Sequence, residues 1–291
     1  MTKTLLTLAL FVTCIGVLQA KTIVFLNGGP GLNSEPERHL LAPHLEKLNH
    51  EAYFWDEPSE LRLRNETYSQ ERAFDQATES ADNFINKICS DKNNRGLKCH
   101  LTLMAHSFSV HHAIRLAEKH PTTITELILI SPALNIKDAD NNIFKVAVKG
   151  LLDEGHPDAS AELAAMIPYL EEAFDQKKIQ AFMLASQYSA LFINYWGDMN
   201  LMQQYFSFMQ GEYSFDAKGM FAVRATMPKI PEYPSQKITI PTQVYFGELD
   251  PISLPEQQIS ALRKYFTTLD LHMLAGAKHY SHLERLTNIN Y

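Results

Sequence analysis

After its first twenty residues this chain has no apolar run approaching the roughly twenty residues that cross a bilayer, which excludes a later membrane-spanning helix. It has no basic surplus either: Lys and Arg number 26 against 33 Asp and Glu, a formal net charge of −7. Without a basic stripe there is nothing to hold a nucleic acid or an anionic lipid surface. Internal repeats and low-complexity tracts are missing, which excludes repeat arrays and disordered tails. Cysteine is scarce, with three residues in 291. What remains, at 45% hydrophobic and 10% aromatic residues, is the composition of an ordinary globular protein with a large core. One domain accommodates it.

The first twenty residues read as a secretory leader: Lys3, a mostly apolar run from Leu5 to Leu18, then Gln19 and Ala20 at the cut. Retention as an anchor is the alternative, although the run is short for a membrane span. Cleavage removes Lys3 and Cys14 and leaves Cys89 and Cys99 as an even pair. In an exported chain that pair is expected to form a disulfide, and in a reducing compartment two thiols. Secreted or periplasmic is therefore the expected location. Asn65-Glu66-Thr67 matches a glycosylation acceptor, which matters only in a eukaryotic secretory pathway.

From Lys21 short apolar strands alternate with longer amphipathic helices. Strands are expected at Thr22 to Leu26, Ala52 to Trp55, Leu101 to Ala105 and Leu127 to Ser131, with a helix from Ala73 to Cys89 striped by Phe74, Ala77, Ala81, Ile85 and Ile88. Such alternation predicts the α/β class, a mostly parallel sheet covered by helices. Between 137 and 236 the pattern turns wholly helical and rich in Met, Phe, Tyr and Ala, as an inserted helical cap would be. Met199, Met202, Tyr205, Phe206, Phe208 and Met209 in it are read mainly as core. Strand signals resume at Thr242 to Phe246 and Leu269 to Leu274, around a helix from Pro255 to Tyr265. The expected organisation is a leader at 1–20, a core at 21–136 and 237–291, and a cap at 137–236.

In LTLMAHSFSVHHAIRLAEKHP, Leu101 to Pro121, a strand-length run is followed by Val110, Ala113, Ile114 and Ala117 at helical spacing. Ser107 falls in the sharp turn between them, which is the local grammar of a nucleophile elbow. There the hydroxyl is expected within solvent reach, and the N–H of Phe108 faces any negative charge that develops beside it. The competing reading is a helix N-cap. The flanking positions hold Ala105 and Ser109, small residues but not glycines. His106, His111 and His112 read as a turn residue and two exposed helix positions.

A serine hydroxyl needs a base, and the base an orienting group. Asp250 in QVYFGELDP lies just past a strand end, where Pro251 favours an extended conformation; His279 in LAGAKHYSH follows the last strand after a glycine-containing turn. Alternatives stay open: Asp250 as a helix cap, Glu248 as the acid, His282 as the base. His279, His282 and Glu284 as a metal cluster fit no standard zinc spacing. Asn27 to Gly31, NGGPG, directly after the first strand, can bring a backbone N–H close to a ligand as a second oxyanion donor, or form a plain tight turn.

Four motifs in this order, each at a strand end, resemble the α/β-hydrolase family from Lys21 to the C-terminus. NGGPG is similar to the HGGPG of its proline iminopeptidase branch, with Asn27 in place of histidine. AHSFS lacks both elbow glycines and the tryptophan which that branch places after its serine. The resemblance implies an α/β-hydrolase fold with Ser107 as nucleophile, Asp250 and His279 completing a triad, and the Gly29 and Phe108 N–H groups as oxyanion hole. It implies no cofactor and a small-molecule or short-peptide substrate, cleaved at an ester or amide. An aminopeptidase of the iminopeptidase type and a non-catalytic binding module are the alternatives. Tyr195 and Trp196 of the cap are expected to line the substrate site.

Overall fold

The computed structural model describes residues 20–58, 69–167, 176–185, 187–188, 192, 194–227 and 236–291. The leader before Ala20, the Asn65-Glu66-Thr67 tripeptide and part of the proline-rich return at 228–235 lie outside them.

Six strands, β1 (Thr22–Leu26), β2 (Glu51–Trp55), β3 (Leu101–His106), β4 (Ile124–Ile130), β5 (Thr242–Gly247) and β6 (Asp270–Leu274), form one sheet in the order β2-β1-β3-β4-β5-β6. Every pairing is parallel. The central strands β1, β3, β4 and β5 are apolar almost throughout because both faces are covered, as a parallel sheet requires, whereas the edge strand β6 is largely exposed. Val24, Leu26, Leu103, Ala105, Leu127, Leu129, Val244 and Phe246 pack on one side with α3 (Ala73–Asn94), α4 (Val110–Lys119) and α10 (Pro255–Tyr265). Ile23, Phe25, Met104, Ile128, Ile130 and Tyr245 pack on the other. There they meet Leu41, Leu45 of α2 (Ala42–Lys47), which follows α1 (Glu35–Leu40), and a group of aromatic side chains from the long insertion.

Chain order explains where a site can form. From β1 the chain moves to the edge strand β2, then crosses back to β3 on the opposite side of β1. Beyond the paired residues Leu26 and Ala105, the loop after β1 and the turn after β3 therefore emerge side by side. That strand-order reversal, at the carboxyl ends of the strands, is where open parallel sheets leave a crevice.

The expected elements are present, with α3 longer than its sequence signal. Its stripe of Phe74, Ala77, Ala81, Ile85 and Ile88 is buried, but the helix runs on to Asn94, since Ser90 to Asn93 contain no Gly or Pro to stop it. Lys92 is buried there against Glu51. Cys89 thus sits within the helix and not at its end, and is bridged to Cys99.

Between β4 and β5 the described residues are helical: α5 (Ile136–Asp153), α6 (Pro157–Met166), α7 (Gln176–Ala185), α8 (Met199–Phe208) and α9 (Ala217–Thr226). α5, α6 and α7 share a small core of their own around Phe144, Ala147, Leu151, Leu163 and Ala181. α8 and α9 lie on the sheet-bearing part instead. Tyr205 of α8 is buried with Trp196 and Tyr280, and Val223 of α9 packs on Phe74 and Phe108. The last short helix, α11, is Ser281–Glu284.

Candidate active site

Ser107 begins a single 3₁₀ turn between β3 and α4, with φ 52°. A left-handed backbone at a non-glycine residue costs of order 1 kcal/mol or more and persists only where the surroundings hold it. Here Ala133 N–H donates to the Ser107 carbonyl at 3.2 Å, and the Ser109 hydroxyl donates to the carbonyl of Asn27. Ser109, where an elbow glycine was expected, therefore ties the turn to the NGGPG loop. No side-chain cap bond is made at the start of α4, so the serines are not acting as N-caps.

The Ser107 hydroxyl lies 2.9 Å from His279 Nε2, and His279 Nδ1 lies 2.9 Å from Asp250 Oδ2. A carboxylate only accepts, so Nδ1 carries the proton and Nε2 presents its lone pair to the hydroxyl. Asp250 sits three residues past β5. Its Oδ1 accepts from the N–H groups of Ile252 and Ser253 at 2.8 and 3.1 Å. Burial alone would raise its pKa, but His279 and those two N–H groups together hold it below the usual carboxylate value. The Ser253 hydroxyl donates to Ser131 O at 2.8 Å and pins the acid loop to the end of β4.

The histidine loop is held from several sides. The N–H groups of His279 and Tyr280 donate to the carbonyl of Tyr195, at 3.1 and 3.3 Å. Glu284 accepts from Lys278 N–H at 2.8 Å. Gly247 closes the approach, because a Cβ there would lie 2.2 Å from the Lys278 carbonyl. No sequence period marks these contacts, which are backbone acceptors and close approaches brought in from distant segments.

Several expectations are corrected. Ser107 is not solvent-facing but only 9% exposed; the turn points it into the protein, toward His279. His112 is fully buried on α4, stacked on Phe74 at 4.9 Å with Nδ1 2.9 Å from the Thr78 hydroxyl. His111 Nε2 reaches the Ala133 carbonyl. His106 closes β3 and is 1% exposed. Burial pushes His112 down to about 3 and partial burial pushes His111 to about 4, so His106 and His112 are inward-facing and His111 half-buried, all three neutral rings, because α3 and the neighbouring loops cover the α4 face that periodicity left polar. Trp196 is 1% exposed, stacked on Tyr280 at 4.0 Å and packed on Tyr205 of α8. Tyr195, by contrast, sets its ring edge-on to His279 at 5.4 Å.

The alternatives to the triad separate in space. Glu248 accepts from Gly276 N–H, away from His279. His282 is buried beside Glu37, its Nε2 3.8 Å from a carboxylate oxygen, and Glu284 binds backbone N–H groups, so His279, His282 and Glu284 do not converge on one point. Phe108 follows Ser107 in the first turn, where its N–H has no preceding helical carbonyl to meet. Gly29 stands in the loop just beyond the last residue of β1, across from the elbow.

No protein-family model matches the chain, and no curated protein does. Solved structures do resemble it. An esterase from Thermogutta terrifontis is 15% identical with TM-score 0.54, covering 92% of this chain and 85% of its own. An epoxide hydrolase from Bacillus megaterium is 16% identical with TM-score 0.56, covering 92% and 90%. A 2-hydroxy-6-oxo-6-phenylhexa-2,4-dienoate hydrolase from a Rhodococcus species is 15% identical with TM-score 0.58, covering 92% and 87%. The chain has the α/β-hydrolase fold.

Proposed function

We propose that this chain is an exported serine hydrolase that cleaves a carboxylic ester through an acyl-enzyme. The observation that carries the reading is the relay of 2.9 Å contacts from Ser107 to His279 to Asp250, on three separate strand ends. A strained serine, a base in the right tautomer and a buried carboxylate make up what a hydroxyl needs to become a nucleophile. Ser107 Oγ attacks the substrate carbonyl carbon as its proton passes to His279 Nε2, and the carbonyl electron pair moves onto oxygen. The Phe108 and Gly29 N–H groups receive that oxyanion. As the tetrahedral intermediate collapses, His279 gives the proton to the departing alkoxide. Water then attacks the acyl-serine, with His279 as base, and releases the acid.

Residues 137–236 serve as the lid and set the acyl preference, with Tyr195 at its inner edge. That fold neighbours include esterases agrees with ester chemistry, and the Cys89–Cys99 bridge agrees with an oxidising, extracytoplasmic location.

Fluorophosphonate labelling tests the reading. The wild-type protein should take one label on Ser107 and Ser107→Ala none; a folded wild-type protein that takes no label is a binding module instead. A panel of aryl esters and aminoacyl anilides then decides the substrate class. Preference for prolyl anilides assigns the chain to aminopeptidase chemistry, and turnover of short esters to the proposed one.

A further inference from the structure

One buried titratable ring beside the triad has no part in the proton relay. His106, the residue before the nucleophile, is 1% exposed, and its Nε2 lies 3.1 Å from the backbone carbonyl of His279. A carbonyl only accepts, so the proton sits on Nε2 and Nδ1 is the bare nitrogen. Nδ1 has no hydrogen-bond partner among the described residues and faces Gly28 of the NGGPG loop, where a Cβ would fall 2.4 Å from it. His106 therefore fits its place only because residue 28 has no side chain. On its other sides the ring lies 5.0 Å from the ring of His279, 4.9 Å from Tyr280 and 4.6 Å from His282.

This one side chain touches all three moving parts of the site. It belongs by covalent bond to the nucleophile turn, abuts the loop that carries Gly29, and is hydrogen-bonded to the residue that serves as base. We propose that His106 is a positioning residue that sets the spacing of His279 and of the oxyanion loop relative to Ser107. The inference rests on the serine hydrolase reading for its kinetic consequence, but not for its structural one. His279 is held at its N–H by Tyr195 and at its ring by Asp250. His106 supplies the hold on its carbonyl; the same peptide is otherwise held only at the Tyr280 N–H, by the Tyr195 carbonyl at 3.3 Å, so without His106 it can tilt about that bond and carry the ring off line.

The Gln side chain places an amide N–H near where His Nε2 stands, whereas Leu fills similar space without a donor. Replacing His106 by Leu should lower kcat on the best ester by about 100-fold with KM little changed, the cost expected of a small misplacement, and His106→Gln should recover most of it. Gly28→Ala should also lower kcat, but Gly28→Ala combined with His106→Ala should be no worse than His106→Ala alone, since the atom struck has gone. The proton on His279 Nδ1, read by NMR as a strongly downfield signal, should disappear in His106→Leu and return in His106→Gln. That measurement needs no turnover. Loss and rescue of the signal in a protein that fails to label at Ser107 would sink the hydrolase reading and keep the role of His106. A folded His106→Leu protein with wild-type kcat and an unchanged signal, a Gln variant as impaired as Leu, or additive effects of the Gly28 and His106 changes would each overturn the proposal and leave the hydrolase reading standing.

Discussion

Asp250 is the residue whose chemistry is most sharply defined by its surroundings. One carboxylate oxygen is committed to two backbone N–H groups and the other to His279. Asp250→Asn keeps the size and the shape but offers an amide where His279 needs an acceptor. The imidazole is then driven to the tautomer with its proton on Nε2, which no longer takes the serine proton. In the proposed enzyme kcat should fall by roughly 10³ to 10⁴-fold with KM changed little, as steady-state ester hydrolysis would measure. Ser107, Asp250 and His279 were legible in the sequence because each sits at a strand end beside a turn residue or proline, and because their order matches one architecture. His106 and His112 were not. A histidine shows nothing in the sequence about what will be packed on top of it, and both are buried by segments far along the chain.

At the scale of elements, the strands and the flanking helices could be read because an apolar stripe or run is a local property, and a buried parallel strand shows it without interruption. The docking of the insertion could not. Its aromatic and methionine content marks helices that bury something, but not which surface they bury it against: Trp196 and Tyr205 close on the sheet side with Tyr280, while Phe144 and Leu163 make a separate core. The end of α3 was hidden for a similar reason, since its last turn is polar and is held by Lys92 reaching Glu51 of β2. The disulfide joins this helix to the start of β3 across a separation of 10 residues. Replacing Cys89 and Cys99 by Ser should lower the free energy of unfolding by about 3 kcal/mol in a denaturant titration. Activity of the folded double variant should be unchanged, because Cys99 precedes β3 whereas Ser107 follows it, at the opposite edge of the sheet.

The whole molecule combines a large apolar core with several titratable groups buried or half-buried in it, and that combination sets how stability depends on pH. Burial holds His106 well below its ordinary value, His111 at about 4, and His112 and His282 at about 3. Unfolding frees these rings to titrate near 6.5, so below that pH the unfolded chain binds more protons and stability falls as the solution is acidified. Glu37, fully buried on α1, goes the other way: burial, with the charge of Asp56 adding to it, pushes it up to about 8 from 4.5. Between those values the folded protein keeps a proton that the unfolded chain releases, so Glu37 makes stability fall as pH rises from 4.5 to 8. From 4.5 to 6.5 the four histidines outweigh the single carboxyl and stability rises with pH. Unfolded histidines are still half protonated at pH 6.5 and cancel Glu37 until about pH 7, above which Glu37 dominates, while the buried tyrosines, all raised above 10, have yet to titrate in either state. Thermal melting should therefore peak close to pH 7 and decline by a small amount, roughly 1 to 2 °C, toward pH 8. Glu37→Gln removes the ionisable group while keeping its shape, so it should abolish the decline between pH 7 and 8 and steepen the rise between pH 4.5 and 6.5, where Glu37 opposes the histidines. An alkaline decline unaltered in that variant would show that the proton held at neutral pH is not on Glu37.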